Sequence, residues 1–129
     1  MGAEYRWVKG QMDELIGRLV ANVGVDRAAA VTAVGVILQF LLKEGPADKV
    51  QALVAKLPGA DGAIKSAPPD SGGMFGGIMG AGTQMMAAGL SMGQVQAVTR
   101  ETISYAREKA GEDAVGDIVG AIPGLAQLV

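Results

Sequence analysis

Residues 48–59 read DKVQALVAKLPG, and residues 113–124 read DAVGDIVGAIPG, without a gap in either copy. The two stretches share the order Asp, Val, Val, Pro, Gly, and the second has isoleucine where the first has leucine at positions 53 and 57. Apolar residues at this spacing mark one face of a helix, and a Pro-Gly pair is typical of a helix end. The chain therefore contains the same helix pattern twice, 65 residues apart.

The match extends outward from these stretches at the same separation. Gly24 recurs as Gly89, and further pairs keep their apolar class: Val25/Leu90, Leu38/Ile103, Phe40/Tyr105 and Ile64/Val129. Self-similarity at one fixed period predicts two similar units, here pseudo-repeats over about 11–65 and 78–129 joined by a connector over about 66–77. What recurs is helix punctuation and core spacing, so the repeat predicts a fold and not an activity.

Composition restricts the classes of function. The 129 residues are half apolar, which is enough to form the core of a single domain. Eleven basic and 13 acidic residues are interspersed, so no basic stripe exists to neutralise phosphates, and we expect no nucleic-acid partner. The chain has no histidine and no cysteine, which removes the usual proton shuttle, thiolate nucleophile and metal ligands. We therefore predict no catalytic, metal-binding or cofactor-binding residue.

The first copy predicts three helices. The first runs from about Gln11 to Val23, and Asp26 is the expected N-cap of the second, because its carboxylate can accept an amide hydrogen bond at the positive end of the helix dipole. Gly45-Pro46 separates the second helix from the third, which ends at Pro58-Gly59. The apolar faces expected to be buried are Met12, Leu15, Ile16, Leu19 and Val20; Ala30, Val34, Ile37, Leu38 and Leu41; and Val50, Leu53, Val54 and Leu57.

The second copy keeps this order of helices with different residues. Ser91 with Gln94 predicts a capping box at the start of its second helix. Thr99 and Thr102 stand at the positions of Val34 and Ile37, so this helix has a thinner apolar stripe, and we expect it to be less deeply buried.

The stretch between the two copies, over 72–92, is rich in glycine and methionine. No charged residue occurs from Ser71 through Thr99. By register the stretch contains a helix from about Ile78 to Ala88, preceded by a flexible lead over Gly72 to Gly77. A nucleotide loop is disfavoured, since no strand precedes the glycines and no Gly-Lys-Ser/Thr occurs.

Several interpretations of this segment remain open. It is a mobile connector, a surface for self-association or for a partner, or a membrane contact. Methionine thioethers can also bind Cu(I), although methionines that fill an irregular core are the more common case. The interaction candidates are Met74, Phe75, Ile78, Met79, Met85, Met86 and Met92.

The N-terminus does not have the order of a secretory signal, because Glu4, Arg6 and Lys9 precede any apolar run. No clear transmembrane segment is visible either. We therefore expect a cytoplasmic protein.

Short motifs resemble those of the YidB-like and related domains, a group of small bacterial helical proteins of unknown function. They are Val23-Gly24-Val25-Asp26, Leu57-Pro58-Gly59-Ala60-Asp61, Gly89-Leu90-Ser91, Gln94-Val95-Gln96 and Ile122-Pro123-Gly124-Leu125, together with the Gly- and Met-rich middle. The resemblance implies a bacterial helical protein without an established activity, and it supplies no functional residues.

The sequence thus predicts an all-α single domain of two tandem three-helix pseudo-repeats, about six helices, packed about an approximate twofold axis. We expect a non-enzymatic interaction or scaffolding module that forms a homo-oligomer or binds a protein partner. The alternative is a protein that binds lipid or an apolar small molecule, with residues 74–92 as a lid or membrane-contact surface. An enzyme that uses carboxylates alone is disfavoured, because neighbouring residues such as Asp13-Glu14 or Glu112-Asp113 point about 100° apart on a helix.

Overall fold

The structure is a computed structural model that describes residues 14–57, 59–67, 77–122 and 124–127. These residues form α-helices and no strand, which confirms the all-α class. The helices are α1 (Glu14–Asn22), α2 (Arg27–Glu44), α3 (Ala47–Ala55), α4 (Ala60–Ser66), α5 (Gly77–Ala87), α6 (Met92–Ala110) and α7 (Glu112–Ala121), followed by a 3-10 turn at Leu125–Gln127.

The two long helices begin at the predicted caps. The Asp26 carboxylate accepts a hydrogen bond from the Ala29 amide at 2.8 Å. At the start of α6, the Gln94 amide donates to Ser91 Oγ at 3.2 Å, and the Ser91 amide donates to Gln94 Oε1 at 2.9 Å. These bonds satisfy amides that a helix start would otherwise leave without a partner. Side-chain chemistry next to each helix therefore determines where α2 and α6 begin.

One helix was not expected from the sequence. Helix α4 follows Gly59, whose φ of 82° lies in the left-handed region that glycine adopts without strain. Its most deeply buried residues are alanines: Ala60 and Ala63 are 1% and 5% exposed, whereas Ile64 is only partly buried. Such small residues give a weak hydrophobic period, so packing against α2 stabilises a helix that the pattern did not predict.

Helix α2 lies at the centre of the fold. It packs against α3, α4, α5 and α6, and half of its 18 residues are buried. The contact with α4 is close at Gly35, where an added Cβ would lie against the Ala63 carbonyl and 2.8 Å from Ala67 Cβ. This glycine allows the backbones of α2 and α4 to approach each other.

Part of the core lies where α2 meets α6 and where α3 meets α7. Leu38 and Ile103 are each 1% exposed, and Val50 and Val115 are fully buried. Val20, by contrast, is 40% exposed, so the outer edge of the predicted α1 face lies at the surface. Met12 lies outside the described residues.

The two threonines of α6 are buried, although the sequence suggested a less buried helix. Thr99 and Thr102 are 4% and 1% exposed. Thr99 Oγ1 donates to the carbonyl of Val95 at 2.8 Å, one turn back, as threonine often does inside a helix. Thr102 Oγ1 has no hydrogen-bond partner among the described residues. At these two positions the core-facing side of α6 is thus as completely buried as that of α2, but it carries hydroxyl groups.

Candidate functional site

The stretch from the end of α5, through the turn after it, to the start of α6 contains no charged residue. Its exposed residues, which we call the α5–α6 corner, are Thr83, Met86, Ala87, Gly89, Ser91, Met92, Gly93 and Gln96. None of them is charged, and the nearest charged residue along α6 is Arg100. The corner therefore exposes apolar side chains in a stretch of sequence that contains no charged residue.

Local structure determines which residues of the corner face outward. Gly89 has a φ of 110° and makes the turn between the helices. Leu90 and Val95, on either side of the capping box, are 4% and 6% exposed and fix the start of α6 on the core. With that start fixed, Met92 lies at the surface.

The methionines of the corner have different environments. Met85 is 2% exposed and belongs to the core, whereas its neighbour Met86 is 45% exposed and Met92 is 61% exposed. Each of the two leaves part of its apolar surface in water, and two such side chains in one uncharged stretch make it the candidate contact site.

The other four interaction candidates add no information on side-chain exposure. Ile78 and Met79 lie within α5, and Met74 and Phe75 lie outside the described residues. Of the flexible lead expected over 72–77, residues 72–76 also lie outside them. Gly77 does not belong to a lead but is the first residue of α5, one residue before the predicted start of the helix.

A charged cluster joins α1 to α6. The Arg18 guanidinium donates two hydrogen bonds to the Glu108 carboxylate, at 2.7 and 2.8 Å, and a third to Glu14 at 3.1 Å. Lys109 Nζ lies 3.6 Å from the other Glu14 oxygen. Both cations lie over the buried ring of Tyr105, at 5.5 and 5.4 Å from its centroid, within the range of cation–π attraction.

The electrostatics of the cluster follow from this pairing. The hydrogen bond from Arg18 lowers the pKa of Glu108 below its usual value, and the same bond raises the pKa of Arg18. Burial raises the pKa of the Tyr105 hydroxyl. Each charged group of the cluster has a partner of opposite sign, so the cluster holds α1 against α6 and presents no free acid or base.

The sequence contains only part of the signal for this cluster. Glu14 and Arg18 are four residues apart, which is the spacing of a helical ion pair. Glu108 and Lys109 come from α6, about 90 residues later, and no local pattern links them to α1. Sequence reasoning therefore missed the cluster.

The described helices contain neither a cluster of metal ligands nor a single helix that could span a membrane. They contain no group of three or more His, Cys, Asp or Glu side chains that could hold a metal ion. No single helix among them is long and apolar enough to cross a membrane; α1 and α2 meet the length and composition criterion only as a pair, bent by 115° at their junction.

Comparison of the chain with protein-family models, with curated proteins and with solved structures found no match.

Proposed function

We propose that the chain is a non-enzymatic interaction or scaffolding module that binds a second copy of itself through the α5–α6 corner. The observation that carries the proposal is the exposure of Met86 and Met92 in a stretch of the chain without charged residues. Burial of exposed apolar area is the main driving force of protein association.

Charge favours a second copy as the occupant. In a contact between identical chains related by a twofold axis, residues near the axis meet their own counterparts. A charged surface would then place like charges together, which costs free energy, whereas the α5–α6 corner has no such charge. The surface of α3 differs, because it carries Asp48 and Lys49, both exposed.

We further propose that the chain consists of two pseudo-repeats. In support, helices α2 and α6 begin 65 residues apart, at Arg27 and Met92, and so do α3 and α7, at Ala47 and Glu112. Helix α4 and the 3-10 turn begin at Ala60 and Leu125, again with this separation. The preceding glycines, at positions 59 and 124, have φ values of 82° and 85°.

The contacts between helices support an approximate twofold relation between the units. Helix α5 packs on α2, and α1 is joined to α6 by the Arg18–Glu108 pair. If α1 corresponds to α5 and α2 to α6, each first helix packs on the second helix of the other unit. The equivalent pairs α2/α6 and α3/α7 also touch, as elements beside a twofold axis do.

The two first helices would then have different tasks. Helix α1 is anchored by ion pairs, whereas α5 carries no charge and ends in the exposed α5–α6 corner. In a duplicated fold, one copy can keep the structural contact while the other acquires a binding surface. We place the function of the protein on that second copy.

A charge placed in the corner tests the proposed self-association. Gln96 in the corner and Gln51 on α3 are both exposed, so Gln96→Glu and Gln51→Glu make the same chemical change at two surfaces. Sedimentation velocity over a dilution series should show an associating wild-type protein, weakened association for Q96E and unchanged association for Q51E. Circular dichroism would establish that both variants remain folded.

Two outcomes would contradict the proposal. A wild-type protein that stays monomeric at the highest concentration, and captures no partner, would remove its basis. Equal weakening by Q96E and Q51E would place any association elsewhere on the surface.

The alternative of a lipid or apolar-ligand binder with residues 74–92 as a lid stays a prediction. Cosedimentation of the protein with liposomes, and mass spectrometry of any ligand that copurifies with it, distinguish this function from self-association. Binding to liposomes by a monomeric protein would favour the alternative.

A further inference from the structure

We infer that Met86 and Met92 form an oxidation site, and that a peroxide acting there controls the association proposed above. The control of association rests on that proposed function. The oxidation site itself rests only on the exposure of the two methionines. Among the methionines whose side chains the structure describes, these two are exposed, and the sequence contains no cysteine as an alternative oxidisable sulfur.

Exposure distinguishes the reactive methionines from a protected one. Met85 and Met86 are neighbours on α5 with identical side chains, yet Met85 is 2% exposed and Met86 is 45% exposed. Met92, at 61%, is the most accessible of the three. Since oxidation needs contact between the sulfur and a dissolved oxidant, we expect Met92 and Met86 to react well before Met85.

The reaction is balanced with a peroxide as the only co-reactant. A lone pair of the thioether sulfur attacks one oxygen of hydrogen peroxide and the O–O bond breaks. A sulfur–oxygen bond forms to one hydroxyl group, and the proton of that hydroxyl passes to the departing hydroxide, which leaves as water. The sulfur loses two electrons and becomes a sulfoxide, while the peroxide is reduced to water.

The product changes the chemistry of the α5–α6 corner. A sulfoxide is polar and accepts hydrogen bonds, so burying it against a second copy would leave its oxygen without water or another donor. A contact about a twofold axis would contain each modified residue twice. We expect oxidation to weaken association by at least about tenfold in Kd, a change of the size that one poorly buried polar group can cause.

Association should in turn protect the site. Met86 and Met92 are exposed in the single chain but would be covered in the proposed dimer. Their oxidation should therefore slow as protein concentration rises, whereas the oxidation of a surface methionine outside any interface would not.

Hydrogen peroxide and tandem mass spectrometry test the site directly. The full-length protein is treated under native conditions, and the added oxygen atom is located on each methionine over time. The expected order is Met92 and Met86 first and Met85 last. Oxidation of Met85 at the same rate as Met86 would overturn the site.

Sedimentation velocity of the oxidised protein tests the regulation. The expected result is dissociation, reversed by methionine sulfoxide reductases with a thiol reductant. A Met86→Leu/Met92→Leu variant is the control, because leucine keeps a similar apolar volume but cannot be oxidised; it should associate both before and after peroxide.

The outcomes separate this inference from the proposed function. If wild type associates and remains associated after both methionines are oxidised, the regulatory part is wrong and the self-association stands. If wild type is monomeric before treatment, the self-association and its regulation are both wrong, and the order of oxidation still decides the site.

Discussion

Replacing Gly35 by alanine should destabilise the protein, although alanine is the better helix former. Gly35 lies in the middle of α2, at the close contact with α4. A Cβ there would lie against the Ala63 carbonyl oxygen, 2.9 Å from the carbonyl carbon and 2.8 Å from Ala67 Cβ. Ordinary van der Waals contact begins at about 3.4 Å, so the two helices would have to separate by at least about 0.6 Å.

The expected magnitude is the difference between two effects. Overpacking of this kind costs about 1–3 kcal/mol, and here the obstacle is backbone, which cannot turn aside as a side chain can. The gain in helix propensity offsets about 0.5–1 kcal/mol of that cost. Because the obstacle is backbone, we take the upper half of the overpacking cost, about 2–3 kcal/mol, so the free energy of unfolding of Gly35→Ala should fall by about 1–2.5 kcal/mol. Tm should fall by about 3–5 °C for each kcal/mol in a chain of this length.

Gly116 provides the matched control. It lies inside α7, is exposed, and has no atom within 4 Å of an added Cβ. Gly116→Ala gains the helix propensity without the clash, so it should raise the free energy of unfolding by about 0.5–1 kcal/mol. Urea unfolding of wild type and both variants, followed by circular dichroism at 222 nm, measures the two changes under the same conditions.

The comparison can refute the reasoning in two ways. Equal stabilisation by both substitutions would show that α2 and α4 are not in close contact at Gly35. Destabilisation by Gly116→Ala would show that helix propensity does not decide the outcome even at an open position.

Two further substitutions address a buried hydroxyl and a charged contact. Thr102→Val removes a buried oxygen that has no partner among the described residues, so it should raise the free energy of unfolding by about 1 kcal/mol. Thr99→Val removes a hydroxyl that donates a hydrogen bond to Val95, so it should gain less; thermal unfolding of the two variants decides. Glu108→Gln removes a carboxylate whose pKa is lowered by Arg18, and such a group stabilises the fold above its unfolded pKa and loses that contribution as the pH falls. Urea unfolding from pH 7 to pH 3 should show a shallower acid loss of stability for E108Q than for wild type, and equal slopes would contradict the assignment.

The candidate site was predicted in part. The absence of charge from Ser71 through Thr99 singled out the segment that forms the α5–α6 corner, because charge is visible in the sequence. The exposure of a side chain is not visible in the sequence. Met85 and Met86 are adjacent methionines, and only the rotation of α5 on the core buries one and exposes the other. The Arg18–Glu108 contact was missed for a similar reason, since its partners come from helices far apart in the chain.

The sequence by itself determined where the two long helices begin. Asp26, and Ser91 with Gln94, cap α2 and α6 as predicted, since a cap depends only on residues within one turn of the helix start. Tertiary structure alone decided what each helix touches. Gly35 is an ordinary glycine until α4 lies against it, and α4, with its small alanines, is a helix because α2 buries it. Local patterns record which residues are apolar or capping, but the depth of a contact depends on residues that meet only after the chain has folded.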